Sequence, residues 1–361
     1  MRVFLRKKRI FYSKQGKIIR TVKGLNFFDK LFYFVNLLCA LLLVLASTAS
    51  MITWEALSFL SFLSLGVPYL VIVNLCFFVY WFLKWKRQFR LSFIVLVIGF
   101  LIHGSFFKFF GSNEASTPND VSVISLNSHE LRGTNYGKLS EYGSQVYTFI
   151  SAQNSDIICF QEFDAKETKR YKEYPYTYVN YIFGKEQRMV QAILSKYPII
   201  NKGALDFPKS SNNAIFADVV IRQDTIRVYN VHLESFNVRP HNIQNEEPKR
   251  LFGRLNASFQ KQQRQAELLR EHKESTSYKS LICGDFNNTQ FSSVYNTIKG
   301  DMNDAFLEKG SGLGNTYDFK FLPFRIDFIF TDESMDVQSF RSFKVRLSDH
   351  EPVMASFSLQ E

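Results

Sequence analysis

The chain has 361 residues and a formal net charge of +11, which is divided unevenly along its length. Residues 1–111 carry 15 Lys and Arg against 2 Asp and Glu, whereas residues 112–361 carry 29 against 31. The long hydrophilic part is therefore almost neutral, and the net charge does not indicate a nucleic-acid-binding surface on it. A basic excess confined to an apolar N-terminal third is typical of a membrane protein. The four cysteines show no metal-ligand spacing.

Three apolar stretches follow the basic segment 1–30. Their length and their lack of charge predict transmembrane helices at about 31–52, 58–83 and 91–108. A cleaved signal peptide is the alternative for the first stretch, although two more stretches follow it, and a soluble helical core is the alternative for all three. Because residues 1–30 and 84–90 are both basic, both are expected in the cytoplasm. Three crossings then place the hydrophilic part in the periplasm or outside the cell.

A short polar linker at 111–120 precedes a segment with α/β periodicity, which we assign to one domain at 121–358. Helices are predicted at Lys138–Ala152 and Lys249–Lys273. Strands are predicted at Val121–Leu126, Asp156–Phe160, Met189–Leu194 and Asp224–Val231, and three more end at Asp285, Phe330 and Phe357.

The motif Gly-Asp-Phe-Asn at 284–287 ends one of these strands. Gly284 allows the backbone to turn, and Asp285 and Asn287 are two positions apart, so their side chains point the same way. A carboxylate and an amide placed so can hold a water, a metal ion or a phosphoryl oxygen. The alternative is an ordinary turn, because Gly, Asp and Asn are common turn residues.

Polar residues recur at the ends of the other strands. Taken singly, each is consistent with a turn or cap residue. Together they supply carboxylate and amide oxygens, which are the ligands that Mg²⁺ prefers, and the sequence lacks a Cys/His set that would suggest zinc. The residues are Asn127, Glu162, His232, Glu234, Asp285, Asn287, Asp327, Asp349 and His350.

The ordered motifs SLN, FQEF, ILSKYPI, NVHLES, GDFN, RIDFIF and SDHEPV resemble the endonuclease/exonuclease/phosphatase superfamily of deoxyribonuclease-I-like phosphoesterases. The resemblance covers about residues 120–358. It implies a four-layered α/β sandwich, with two central mixed β-sheets flanked by helices, behind the three transmembrane helices. It also implies hydrolysis of a phosphoester by in-line attack of water, assisted by Mg²⁺ or Mn²⁺.

The same resemblance implies which residues bind the metal. Glu162 is expected to be the principal ligand, with Asn127 beside it and Asp349 as a second carboxylate. Many nucleases of the superfamily carry an acidic residue two positions after the strand-end asparagine, where this chain has His129. The number of metal ions is therefore left open, and His129 is also consistent with a solvated loop histidine.

Catalytic roles follow from the resemblance in the same way. Asp285 is expected to orient or deprotonate the attacking water, and Asn287 to hold a phosphoryl oxygen. His350 is expected to bind or protonate the phosphoryl group while Asp327 fixes its tautomer, an arrangement that makes physical sense. His232 is expected beside the phosphate.

The superfamily does not determine the substrate, because its members cleave nucleic acids, phospholipid head groups and inositol phosphates. The membrane tether, the extracytoplasmic placement and the neutral domain favour a membrane lipid or small phosphoester. A nuclease acting on DNA or RNA is the alternative, and a catalytically silent binding module is another. Residues 235–252 could form one wall of the site or a solvated loop.

Overall fold

The computed structural model describes residues 25–51, 63–105, 107–109, 111, 117, 119–129, 139–181, 189–236, 246–319 and 322–359. Several predicted features lie outside these residues: most of the basic N-terminus, the loop around residues 52–57, much of the linker at 111–120, and residues 237–245 of the segment 235–252. Two compact units are found: the first contains the described residues of 1–49 and 63–104, and the second contains residues 50–51 and the described residues from Ser105 onward.

The first unit contains the helices α1 (Phe27–Ala49), α2 (Val67–Leu83) and α3 (Phe89–His103). The segments Phe27–Ala49 and Leu63–Leu83 are long and apolar enough to cross a membrane. The predicted third span at 91–108 is not among these long helices, because α3 has only 15 residues. At about 1.5 Å per residue it is shorter than the apolar core of a bilayer, about 30 Å. Gly104, with a φ of 72°, ends it.

Polar side chains inside this unit connect its helices. Asn36 of α1 donates to the Ser92 hydroxyl of α3 over 2.8 Å, and Asn74 of α2 donates to the Cys39 carbonyl of α1 over 3.2 Å. Asn36, Ser92 and Asn74 are buried, whereas many Leu and Phe side chains of α1 are exposed. The unit therefore buries polar side chains among apolar ones and exposes large apolar side chains, unlike a water-soluble helical bundle.

The second unit contains two six-stranded mixed sheets and a short hairpin. In sheet one the order is β13-β14-β1-β2-β4-β3, with β1 and β2 parallel. Its strands are β1 (Val121–Asn127), β2 (Ile157–Asp164), β3 (Tyr176–Asn180), β4 (Met189–Ser195), β13 (Met335–Ser342) and β14 (Val353–Leu359).

Sheet two has the order β5-β6-β7-β8-β12-β9, with β7 and β8 parallel. Its strands are β5 (Ile199–Asp206), β6 (Asn213–Ile221), β7 (Asp224–His232), β8 (Lys279–Asp285), β9 (Asn303–Asp304) and β12 (Asp327–Thr331), and the hairpin consists of β10 (Tyr317–Phe319) and β11 (Leu322–Phe324).

Four layers result from the way the apolar faces pack. The central core joins the inner faces of the sheets, for example Cys159 of β2 with Cys283 of β8. Ile150 of helix α4 (Leu139–Gln153) covers the outer face of sheet one. Leu269 of helix α5 (Pro248–Glu274) and the short helix α6 (Ser293–Lys299) cover the outer face of sheet two. A last short helix, α7 (Ala305–Lys309), packs into the central core. The predicted α/β sandwich is confirmed.

A buried amide pair links the two sheets in this otherwise apolar core. The Gln161 side chain on β2 donates to the Asn230 amide oxygen on β7 over 2.6 Å. Asn230 in turn donates to the carbonyls of Phe160 and Ala192 in sheet one. Because such buried groups are costly when unpaired, these bonds favour one alignment of the sheets over others.

Candidate active site

The polar residues predicted at strand ends meet at one edge of the sandwich. Asn127 and Glu162 come from β1 and β2 of sheet one, whereas His232 and Asp285 end the paired strands β7 and β8 of sheet two. The β12 strand begins opposite, so that Asp327 lies beside Asp285 in the ladder. Residues that lie up to 223 positions apart in the sequence therefore meet at the ends of the two sheets.

Asn127 connects the two halves of the site. Its side-chain nitrogen lies 3.0 Å from an Asp285 carboxylate oxygen and 3.4 Å from one of Glu162. Its amide oxygen accepts from the His129 backbone N–H over 3.1 Å. Asn127 and Asp285 are both buried. The asparagine thus holds one carboxylate from each sheet.

Glu162 is turned toward solvent by an irregularity in its strand. The pairing of β2 with β4 shifts between Phe160 and Phe163, and Glu162 has a φ of 47°, in the left-handed region. A bulge of this kind re-aims a side chain, and non-glycine residues adopt such a conformation at an energetic cost. Its side chain remains 25% exposed and lies 3.7 Å from the His232 imidazole. Glu162 is therefore an accessible carboxylate beside the buried Asp285.

Three side chains form a buried chain of contacts behind it. His350 Nδ1 lies 2.9 and 3.1 Å from the two Asp327 carboxylate oxygens, and His350 Nε2 lies 3.6 Å from Asp285 Oδ2. The Thr316 hydroxyl accepts from the backbone N–H of Asp327. The Asp327 carboxylate thus holds the proton on Nδ1 and directs Nε2 toward Asp285.

The charges of these groups are coupled. Burial disfavours the charged imidazole, but the carboxylates of Asp327 and Asp285 outweigh it and raise the pKa of His350 to about 10. Burial also raises the pKa of Asp285, although the His350 charge opposes the shift. The site therefore pairs a cationic imidazole with a carboxylate that is more basic than an exposed one.

Asn287 lies at the turn after β8 and is held mainly by the backbone. Its N–H donates to Asp285 Oδ1 over 2.7 Å, and its side-chain nitrogen donates to the Leu233 carbonyl over 3.0 Å. An amide group has two hydrogens, so this bond leaves the second one for another acceptor. The turn requires Gly284, whose φ is 137° and whose missing Cβ would overlap the Val231 carbonyl of β7.

Asp349 is the last of the predicted site residues, and it lies next to His129. It precedes His350, its side chain is 40% exposed, and Oδ1 lies 3.7 Å from His129 Nδ1. His129 Nδ1 lies at the same distance from Glu162 Oε2. The His129 ring thus stands between the two exposed carboxylates, and all eight predicted site residues lie in this region.

Sequence comparison determines the family. The profile of the Endonuclease/Exonuclease/phosphatase family matches residues 131–350, and a domain of unknown function matches residues 29–106. The chain belongs to the endonuclease/exonuclease/phosphatase family. Members of this family are typically metal-dependent phosphoester hydrolases, so the fold supports hydrolysis of a phosphoester bond. No curated protein matches the chain.

Solved structures of the family show the same fold at low identity. The human nocturnin catalytic domain with bound sulfate is 16% identical with a TM-score of 0.52, over 68% of this chain and 97% of that one. D. rerio TDP2 in complex with a single-strand DNA product is 17% identical with a TM-score of 0.51, over 66% and 99%. A Bacteroides vulgatus family member is 20% identical with a TM-score of 0.51, over 67% and 99%.

Two neighbouring groups have the chemistry of a cation site, as expected for a family that uses divalent metals. Asp285, Asp327 and His350 have ligand atoms within 4.8 Å of one another. All three side chains are buried, however, with Asp285 and Asp327 only 1% and 3% exposed, so an ion from solvent would have to enter the core to reach them. Glu162 and Asp349 instead offer carboxylate oxygens at the surface. The donor set around Glu162 therefore fits a divalent cation better.

Other residues support the site without having been predicted for it. Gln262 of α5 donates to the Glu234 carbonyl and accepts from the Asn288 side chain, and it is fully buried. Glu234, which the sequence offers as a candidate, binds Lys261 and the Ser210 hydroxyl instead. In the sequence, Asn288 could have been identified because it directly follows the Gly-Asp-Phe-Asn motif. Gln262 could not, because a glutamine on a charged helix does not indicate a site.

Proposed function

We propose that this family member is a membrane-anchored hydrolase that cleaves a phosphoester with the help of a divalent cation, Mg²⁺ or Mn²⁺. The observation that carries the proposal is the buried contact chain of Asp327, His350 and Asp285 beside the exposed Glu162. It combines a proton donor, a base and a cation ligand at one sheet edge, which is the set that in-line attack of water on a phosphate needs.

The protein's residues divide the work as follows. Glu162, Asn127 and Asp349 would hold the cation, which when bound would neutralise charge on the phosphoryl oxygens and so reduce their repulsion of the nucleophile. Asp285, which is buried and has a raised pKa, orients the water and accepts its proton.

The phosphoryl group is held from the opposite side. His350 donates from Nε2 to the phosphoryl group, because Asp327 occupies its other nitrogen. His232 lies within 4 Å of both Glu162 and Asp285 and adds a donor beside the phosphate. Asn287 offers its second amide hydrogen to a phosphoryl oxygen.

The preferred substrate is a lipid or small phosphoester. Residues 112–361 carry 29 basic against 31 acidic residues, so they lack the basic excess with which proteins attract long polyanions. A nuclease is the second candidate, because the similar TDP2 structure holds a single-strand DNA product. A silent binding module is the least favoured, because all eight residues of the site lie at one sheet edge.

The apolar N-terminal helices are proposed to anchor the chain in a membrane, with the catalytic domain outside the cytoplasm. The apolar exterior of the helical unit and its buried, hydrogen-bonded polar side chains support anchoring. With a cytoplasmic N-terminus this placement needs an odd number of crossings, so the proposal includes a third crossing by the short apolar helix α3. Reporter fusions at residue 86 and at the C-terminus test this; a C-terminal reporter active in the cytoplasm would overturn the placement.

Hydrolysis by the full chain in detergent micelles tests the enzymatic proposal. The panel contains phospholipids, inositol phosphates, plasmid DNA and RNA, each with Mg²⁺ or chelator. The variants are His350→Ala and, as a control histidine away from the site, His272→Gln. We expect metal-dependent release from a lipid or small phosphoester that His350→Ala reduces by several orders of magnitude and His272→Gln does not. Cleavage of nucleic acid alone would favour the nuclease, and near wild-type activity of His350→Ala would overturn the assigned mechanism.

A further inference from the structure

His129 is held at the mouth of the site by several backbone contacts. Its N–H donates to Asn127 Oδ1 over 3.1 Å. The preceding residue, Ser128, donates its N–H to the Gln161 carbonyl over 2.9 Å and its hydroxyl to the Glu162 carbonyl over 3.0 Å. The φ of His129 is 42°, which a non-glycine residue adopts at a cost. The chain is thus tied to the Glu162 strand in the position that presents this ring.

The distances around the ring are informative. Nδ1 lies 3.7 Å from Glu162 Oε2 and 3.7 Å from Asp349 Oδ1. Both separations exceed the usual range of a hydrogen bond, about 2.7–3.2 Å. Two ligand atoms that each lie about 2.1 Å from one cation are separated by at most about 4.2 Å. Nδ1 is therefore separated from each of the two oxygens by a distance that one ligand of an ion keeps from another, and that is too long for a hydrogen bond.

The group of His129, Glu162 and Asp349 is more exposed than the similarly spaced residues deeper in the site. His232 and His350 also face Asp285 at 3.8 and 3.6 Å, but the Asp285 side chain is only 1% exposed. The side chains of His129, Glu162 and Asp349 are 36%, 25% and 40% exposed. An ion from solvent can therefore reach these three side chains without any rearrangement of the buried core.

We propose that His129 is a nitrogen ligand of the cation held by Glu162 and Asp349, and that it shifts the metal preference of the site from Mg²⁺ toward a transition metal such as Mn²⁺. The inference rests on the proposed function and specifies its metal. Mg²⁺ strongly prefers oxygen ligands, whereas the affinity of nitrogen for divalent ions increases along the first transition row. One imidazole among carboxylates therefore favours the transition metal.

Pulsed electron paramagnetic resonance of the full chain, loaded with Mn²⁺ in detergent micelles, tests the inference directly. A coordinated imidazole couples its ¹⁴N nucleus to the Mn²⁺ electron spins, and we expect this coupling in the wild type and in the His272→Gln control. His129→Gln should lose the coupling and bind Mn²⁺ about 10–100-fold more weakly, a range typical of damage to a metal site. His129→Asp should restore binding while lowering the preference for Mn²⁺ over Mg²⁺ about tenfold.

The outcomes separate this inference from the proposed function. Thermal unfolding of the metal-free variants shows whether each one is folded. If His129→Gln retains the ¹⁴N coupling, or weakens Mn²⁺ and Mg²⁺ equally, the inference is wrong even though hydrolysis stays metal-dependent. If Glu162→Gln also leaves Mn²⁺ binding and hydrolysis unchanged, the assignment of the cation site in the proposed function is wrong as well.

Discussion

Replacing Asp327 by Asn removes one charge from the centre of the site while keeping the shape of the side chain. Both Asp327 carboxylate oxygens lie within 3.1 Å of His350 Nδ1, and Asp327 is 3% exposed. Water therefore cannot replace the lost interaction. The variant leaves His350 buried, with Asp285 as its nearest remaining carboxylate.

We expect two effects on catalysis. The orientation and protonation of a general acid are typically worth 10²–10⁴ in rate, so kcat should fall by about this factor, or about 3–5 kcal/mol of transition-state stabilisation. The pKa of His350, now raised to about 10 by Asp327 and Asp285 against the effect of burial, should fall. Activity of the variant should therefore be lost at a lower pH than in the wild type.

Stability should respond with a defined sign. Because the folded-state pKa of His350 is above its unfolded value of about 6.5, its contribution to stability is complete below about pH 6.5 and is lost as the pH rises through about 10. In Asp327→Asn this part of the pH dependence should be smaller.

Steady-state kinetics from about pH 5 to 10 check the reasoning, with bis(p-nitrophenyl) phosphate as the probe and Asp301→Asn as a control at an exposed aspartate. Melting temperatures over the same range test the stability argument. A kcat for Asp327→Asn within threefold of wild type, or an unchanged alkaline limb, would refute the role of the Asp327–His350 pair.

Three further predictions concern stability and metal dependence. Gly284→Ala should prevent folding or cost several kcal/mol of stability, because the added Cβ would overlap the Val231 carbonyl. Gly253→Ala, in open space on α5, should instead stabilise the protein by up to about 1 kcal/mol. Denaturant unfolding measures both changes. Arg325→Met should cost about 3–5 kcal/mol by the same assay, because it leaves the Asp304 carboxylate buried without its 2.8 Å partner; a smaller loss would show that water enters. Chelation should abolish hydrolysis reversibly, and calorimetry should show weaker Mn²⁺ binding if a carboxylate ligand is removed.

Much of the catalytic fold was accessible from the sequence because its buried strands are short apolar runs that end in polar residues. The predicted strand at Val121–Leu126 is β1, and the predicted helix at Lys249–Lys273 differs from α5 by one residue at each end. The strand β5 was not predicted, because all eight of its residues are exposed or half-buried. Such a strand lacks the apolar alternation that a sequence pattern requires.

The site was predicted as a set of residues but not as a geometry. The direction of Glu162 depends on a bulge and on a left-handed backbone, for which the local sequence gives no signal. The position of His129 between two carboxylates depends on three separate segments. The length of α3, in contrast, was readable: Gly104 is a residue type that commonly ends helices, and the prediction extended past it.

The amide pair that joins the sheets has a consequence for how the enzyme fails. Gln161 directly precedes Glu162, and Asn230 lies two residues before His232, so the pair sets the offset between the two halves of the site. Displacing reacting groups by about 1 Å can cost about 10²-fold in rate. A shift of one sheet against the other that leaves both hydrogen-bonded ladders intact should therefore be enough to abolish the proposed hydrolysis. As the temperature rises, we expect activity to be lost before the circular dichroism spectrum departs from that of the native state.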